Sequence, residues 1–312
     1  MADFPARLER FAEVDSTQRI VAAWLAAGTP EVAVAVADVQ TAGRGRHGRH
    51  WEAPTGAALL CSCGFRPAWL APRHAWRLGA TVALAMLDAA EETAGLRDET
   101  LGLKWPNDLV VVVPAQDGSA ESAAAVELAA AEPAAIAGPV SVATAARGAP
   151  AAGGAAQASG GTAPPTRGDA LLKLGGVLGE TSGTGERIAT AVIGVGVDVH
   201  WAARDFPPAF AASMTSLSEV ARRPVDREQL LDAFLARLEP RYEALRAGRF
   251  DAAGWSARQR TTDRVVGVAL GDRSLEGLAL GVDPDSGALL VEVDGVERSI
   301  DTGEVVRCRL RG

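Results

Sequence analysis

At 312 residues, 48% of them hydrophobic, the chain is long enough for one large domain or two and for a substantial core. A formal charge of −8 and a pI near 5.2 argue against broad affinity for nucleic acid or membranes, which call for a basic face. Cys61, Cys63 and Cys308 are an odd number not spaced as a zinc site, and they suit a reducing compartment.

The opening "MADFPARLERFAEVDS" has no apolar stretch behind a basic one, so no signal peptide is expected. No apolar run reaches the length of a membrane helix, and the expectation is a soluble, cytoplasmic protein. "STQRIVAAWLAAG" predicts a helix with Ser16 or Thr17 at its N-cap, Ile20, Val21, Trp24 and Leu25 on one face, and Gly28 as its stop. "EVAVAVAD" predicts a strand that runs into a loop rich in glycine and arginine. "GAALLCSCGF" predicts another strand, with Cys61 and Cys63 at i, i+2 both pointing into the core. "HAWRLGATVALAMLDAAEETAG" reads as a long apolar helix closed by Gly95, and "LGLKW" and "DLVVVV" as strands bent apart at Pro106.

From about Pro114 to Gly168 the composition turns to Ala, Gly, Ser, Pro and Glu, predicting a disordered insertion with at most a short helix in its Ala/Glu part. "ALLKLGGVLGET" and "RIATAVIGVGVDVH" then predict central strands, and "DREQLLDAFLARLEPRYEALRAG" a helix capped by Asp226 and kinked at Pro240. From about Thr262, "VVGVAL", "SLEGLALGVD", "ALLVEVD", "VERSI" and "EVVRCRL" predict five short strands, enough for a small β-barrel. The domain expectation is therefore 1–261, with the insertion at 114–168, followed by a barrel at 262–312.

Two scarcities point to chemistry. Of 31 basic residues only Lys104 and Lys173 are lysine, and Asn107 is the one asparagine. The bias toward Ala, Gly and Arg disfavours both residue types, so those that survive fall where arginine does not serve equally well. Lys104 and Asn107 share one motif, "LKWPND", which offers a cation, a rigid turn, a carboxamide and a carboxylate together. Between Gly43 and Arg49, three glycines alternate with three arginines. Glycines let backbone N–H groups approach a ligand, and arginines add forked donors for phosphate or carboxylate. This loop matches neither the P-loop nor the dinucleotide fingerprint, and RNA-binding segments look similar. Trp51 at its end fits a stacking role or the core. Ordering such a loop costs about 1–2 kcal/mol per residue, so it is expected to be mobile until an anion arrives and then to close.

Taken in order, "DST", "QTAGRGRHGRHW", "KWPND", "KLGGVLGE" and "GVGVDV" closely resemble the biotin protein ligase family, over about Val14 to Val199 plus a C-terminal barrel. The resemblance implies an α+β catalytic domain related to class II aminoacyl-tRNA synthetases, with a mixed sheet and an SH3-like barrel. It implies the ligase-only form, because "DST" begins at residue 15, ahead of which a DNA-binding domain finds no room. The implied chemistry has two steps. The biotin carboxylate attacks the α-phosphate of MgATP to give biotinyl-5′-AMP and pyrophosphate. A lysine of a biotin carboxyl carrier domain, in an acyl-CoA or pyruvate carboxylase, then takes the biotinyl group and AMP leaves.

The resemblance also assigns roles residue by residue. Ser16, Thr17 and Gln40 would hold the biotin head group, with Gly176, Gly194 and Gly196 beside it. Gly43, Arg44, Gly45 and Arg46 would cover the carboxylate and α-phosphate. Lys173 would contact both reacting groups and, with Arg46, act catalytically. Lys104 would hold phosphates, Asn107 and Asp198 the adenine side, Asp108 a magnesium ion, and Trp51 would pack on adenine. Two positions depart from the family's usual asparagine, Gln18 and Asp198. An ionised Asp198 accepts but does not donate, which puts its adenylate contact in doubt. Biotin, ATP and Mg2+ are the expected ligands, and a monomer or homodimer without DNA or membrane partners the expected state. A lipoate–protein ligase shares the adenylation logic, and a non-catalytic RNA or nucleotide binder would share the loop; both remain open at this point.

Overall fold

The computed structural model describes residues 4–113 and 170–310. The insertion expected at 114–168, with its short helix, lies outside the described residues. The first sheet has seven strands: β1 (Arg7–Val14), β2 (Ala33–Gln40), β3 (Ala58–Phe65), β4 (Leu101–Lys104), β5 (Asp108–Val113), β6 (Ala170–Thr184) and β7 (Arg187–Asp198). Their spatial order is β1-β2-β3-β7-β6-β5-β4. Only β1 and β2 run parallel, joined through helix α1 (Thr17–Ala26); every other pair is antiparallel. This is the mixed α+β architecture expected.

Packing follows from which residues each element must hide. Helix α2 (Trp76–Ala94) buries Leu78, Val82, Met86, Leu87 and Ala90 against the sheet. It ends where Gly95 takes φ +66°, a left-handed C-cap that glycine adopts without strain. Helix α4 (Arg227–Arg246) lies beside it through Leu230, Phe234, Leu238 and Tyr242. It runs past Pro240, so the proline expected to kink it does not end it. The Asp226 side chain accepts from the N–H groups of Glu228 and Gln229, as its sequence position predicts. Asp226→Ala is expected to destabilise the protein by about 1 kcal/mol, read as a lower urea midpoint at unchanged slope.

The opposite face of the sheet carries α1, where Val21, Leu25, Ala35 and Val192 form a small second core. Strand β3 is therefore covered on both sides and all eight of its residues are buried, which explains its nearly unbroken apolar run. Cys61 and Cys63 lie in the main core, and burial pushes the Cys61 thiol up to about 12 and Cys63 also upward. Strand β1 escaped the sequence reading. It is an edge strand whose exposed charges obscure its alternation.

Two short helices, α3 (Leu217–Ala221) and α5 (Ala252–Ala257), lead toward the second sheet. That sheet holds the five expected strands: β8 (Arg264–Leu270), β9 (Arg273–Val282), β10 (Leu289–Val293), β11 (Val296–Ile300) and β12 (Glu304–Leu310). They are antiparallel in the order β11-β10-β9-β8-β12, enclosing Val266, Val268, Ala279, Leu289, Val291 and Val305. The two sheets meet at the "KWPND" turn. Trp105 is held from two sides there: its backbone N–H donates to Thr261 Oγ1 at 2.9 Å, and its indole Nε1–H donates to the Gly287 carbonyl at 3.0 Å. Among the described residues no helix is long and apolar enough to cross a membrane.

Candidate active site

One row of paired residues crosses five strands, from Leu60 through Gly196, Gly176 and Asp108 to Lys104. Simple alternation along β6 would place Lys173 on the opposite face from Gly176. It does not, because the pairing slips at Leu174: Gly175 opposes Leu109 and Lys173 opposes Val110. This one-residue bulge brings Lys173 to the same face as Gly176 and Asp108. The Lys173 ammonium then lies 2.6 Å from Asp108 Oδ1 and 5.3 Å from the centroid of the Trp51 ring. Lys104, four residues before Asp108, holds the other carboxylate oxygen at 4.0 Å. Burial pushes the Asp108 carboxyl up, but the ammoniums of Lys173 and Lys104 outweigh it and hold the group below the usual carboxylate range. The two lysines of the sequence thus converge on one carboxylate.

Glycines form the floor beside this trio. A Cβ on Gly176 would sit 3.7 Å from both Asp108 Oδ1 and Lys173 Nζ. Gly196 lies under the Trp51 indole, 3.0 Å from where a Cβ would be, and Gly194 under the Gln18 side chain at 3.1 Å. The two glycines assigned by resemblance to a flat ligand are here roofed by Trp51 and Gln18. Gln18 is fixed by donating to the Leu178 carbonyl at 3.0 Å.

At the N-terminus of α1, Ser16 and Thr17 are buried. Thr17 donates twice to Gln40 Oε1, from its N–H at 2.8 Å and its hydroxyl at 3.0 Å. Its hydroxyl also lies 2.8 Å from Ser62 Oγ. The hydroxyl proton already points to Gln40, so Ser62 is the donor in that pair. Thr17 and Gln40, two of the residues the resemblance assigns to the head group, are thus joined, Ser16 is buried next to them in sequence, and Ser62 bonds to the pair without having been singled out in the sequence. The signal was available: Cys61 and Cys63 point into the core, so Ser62 between them must face the other way.

The Gly/Arg loop is tied at several points. Trp51 N–H donates to the Gly43 carbonyl at 3.0 Å and Gly45 N–H to the Arg49 carbonyl at 2.7 Å. Gly43 is required there, since a Cβ would lie 2.2 Å from the Trp51 carbonyl oxygen. Arg44 pairs with Glu180 of β6 at 2.8 Å. Arg46 donates to the Gly303 carbonyl at 3.0 Å, and Arg49 pairs with Glu304 at 2.7 Å. Burial draws the Arg46 guanidinium below its ordinary value, against the pull of Glu304 and Asp108 in the other direction. Glu180 closes the "KLGGVLGE" motif but was given no role there, and Gly303 and Glu304 left no local sequence signal, because they meet the loop from far along the chain.

Asn107 donates from its amide to the Val177 carbonyl at 2.8 Å, and its own carbonyl accepts from Val177 N–H at 2.9 Å. Its side chain thereby fixes the "KWPND" turn to β6. Asp198, at the end of β7, is fully buried, and neither carboxyl oxygen has a hydrogen-bond partner among the described residues. The Trp51 indole N–H is likewise buried without a partner there. Burial raises the Asp198 carboxyl to about 7, with Lys173 as the opposing influence.

As to magnesium, Asp108 is one carboxylate already shared by two ammoniums, and no group of three acidic, His or Cys side chains that could hold a metal occurs among the described residues. Such a donor set does not build a resident metal centre. It suits an ion that arrives on phosphate oxygens and keeps most of its waters.

The sequence profile of the Biotin/lipoate A/B protein ligase family matches residues 11–119. A biotin–acetyl-CoA-carboxylase ligase of Mycobacterium tuberculosis is 28% identical over 307 residues, 97% of this chain and 90% of that protein. The bifunctional ligase/repressor BirA of Bacillus subtilis is 25% identical, over 91% of this chain and 69% of its own. Among solved structures, a biotin protein ligase from Aquifex aeolicus in complex with biotin and ATP shares the fold at a TM-score of 0.66 and 21% identity, covering 98% of this chain and 99% of that one.

Proposed function

We propose, from the match of residues 11–119 to the biotin/lipoate A/B protein ligase family, that this chain is an ATP-dependent biotin–protein ligase. It joins biotin and ATP into biotinyl-5′-AMP and passes the biotinyl group to a lysine of a carboxylase's biotin carboxyl carrier domain. The observation that carries the reading is the convergence of Lys173, Lys104 and Asp108 beside a glycine floor and an indole. Joining two anions requires fixed positive charge where negative charge builds up, and these ammoniums are held before any ligand arrives.

In this reading, Ser16, Thr17, Gln40 and Ser62 recognise the neutral head group, and Arg44 and Arg46 cover the carboxylate and α-phosphate. Lys173 leaves Asp108 to meet the reacting oxygens, and Lys104 stays on the phosphates. Trp51 moves off Gly196 to lie against the base. Any magnesium comes with the nucleotide, with Asp108 the residue that would touch it, and supplies charge neutralisation at the phosphates. We place the reaction in the cytoplasm.

Incubation with biotin and MgATP is expected to release one pyrophosphate per site rapidly, and continuously once a carrier domain is added. Release with lipoate alone would transfer the reading to lipoate ligation. Release with neither would refute an adenylating enzyme.

A further inference from the structure

The Gly/Arg loop is held from two sides, and one of them is the C-terminal sheet. Arg49 is the hub of the loop. Its carbonyl accepts from Gly45 N–H, its own N–H and guanidinium Nε donate to the Arg46 carbonyl at 3.2 and 3.3 Å, and its Nη1 reaches Glu304 at 2.7 Å. One residue earlier, the Gly303 carbonyl receives Arg46 Nη1 at 3.0 Å. The placement of that carbonyl is fixed by crowding: a Cβ on Gly303 would lie 2.8 Å from Leu270 Cδ2 and 3.0 Å from the Ala269 carbonyl oxygen. Glu304 opens β12, which pairs along its length with β8. The entry to β12 thus presents a carbonyl and a carboxylate, on a strand paired with β8, to two arginines of a loop that has little regular structure of its own.

We propose that Glu304 is a positioning residue for the adenylation site, holding Arg49 so that the backbone of residues 43–51 keeps its ligand-ready form. The proposal rests on the ligase reading for its consequence in turnover, but not for its effect on the loop. Glu304 need not touch a substrate. Its carboxylate grips Arg49, a side chain with no assigned ligand contact. Arg46 remains free to leave the Gly303 carbonyl for an incoming anion, because a charged acceptor outcompetes a neutral one. A fixed Arg49 means the loop does not lose its shape when that exchange occurs.

The test uses the full chain and three variants: Glu304→Ala, Arg49→Ala and the swapped pair Arg49→Glu with Glu304→Arg. In the absence of ligand, the Gly45 and Trp51 amides should exchange hydrogen about 3- to 5-fold faster in each single variant, a size typical of one exposed ion pair, while β8–β12 amides stay unchanged. The swapped pair should recover most of that protection. With biotin and ATP, Glu304→Ala should raise the KM for biotin about 3-fold at nearly constant kcat, by the same ion-pair magnitude. Equal loop exchange in wild type and Glu304→Ala would overturn the proposal, as would a swapped pair no better than the single variants. A lowered KM would also overturn it, because Glu304 would then be competing with substrate. If wild type makes no pyrophosphate, the ligase reading fails while the exchange experiment still decides the role of Glu304.

Discussion

Lys173→Arg is expected to lower the rate of pyrophosphate formation by about 100-fold or more while leaving the fold intact. Arginine keeps the charge, and its fork can still reach Asp108, now 2.6 Å from the ammonium. What it loses is a compact point charge able to turn from Asp108 to the oxygens where charge develops. The space is set for an ammonium. Gly176 leaves room at 3.7 Å from Nζ, and the Trp51 ring closes the other side at 5.3 Å. A planar guanidinium there would stack on the indole and stay. The check is single-turnover pyrophosphate release at saturating biotin and ATP, with the thermal midpoint as a control on folding. Near-normal turnover would remove the special place given to this lysine.

The second large effect concerns Asp198. A fully buried carboxyl with no partner among the described residues is costly to ionise, and its value stands near 7 rather than 3.8. The native chain therefore holds this proton more tightly than the unfolded chain does. The stability it contributes is complete below the unfolded value and is lost as pH rises through about 7. Asp198→Asn has the same shape and nothing to ionise. It should match wild type at about pH 4 and exceed it by about 4 kcal/mol at about pH 8, from a three-unit difference in pKa. Urea unfolding at the two pH values measures this. A gap that does not widen with pH would show that the carboxyl is not being ionised against burial.

Much of this was legible in the sequence, for identifiable reasons. Strand β3, helix α2 and the N-cap of α4 follow from apolar runs and a capping aspartate, which are local properties. The scarcity of lysine picked out Lys104 and Lys173, and both face Asp108. Thr17 of "DST" and Gln40 were placed together by the resemblance, and they do bond. What stayed hidden depends on three dimensions. Strand β1 is recognisable only as the parallel partner of β2. Glu180 and Glu304 meet the arginine loop across long stretches of chain, and no periodicity marks a residue that acts only through such an encounter. The contacts of the loop with these two carboxylates and the Gly303 carbonyl likewise carry no mark in its own Gly/Arg pattern. The orphaned oxygens of Asp198 were foreshadowed only as a mismatch with asparagine.

The slip at Leu174 makes the chemistry of this protein depend on counting. Every letter of "KLGGVLGE" could be retained, yet regular pairing through Leu174 would set Lys173 opposite Val111, turn the amine toward the apolar interior and leave Asp108 beside a hydrocarbon. Motif matching alone would score such a chain as intact. For enzymes built on an extended ribbon, the register next to a reactive side chain is as much a part of the active site as the side chain itself.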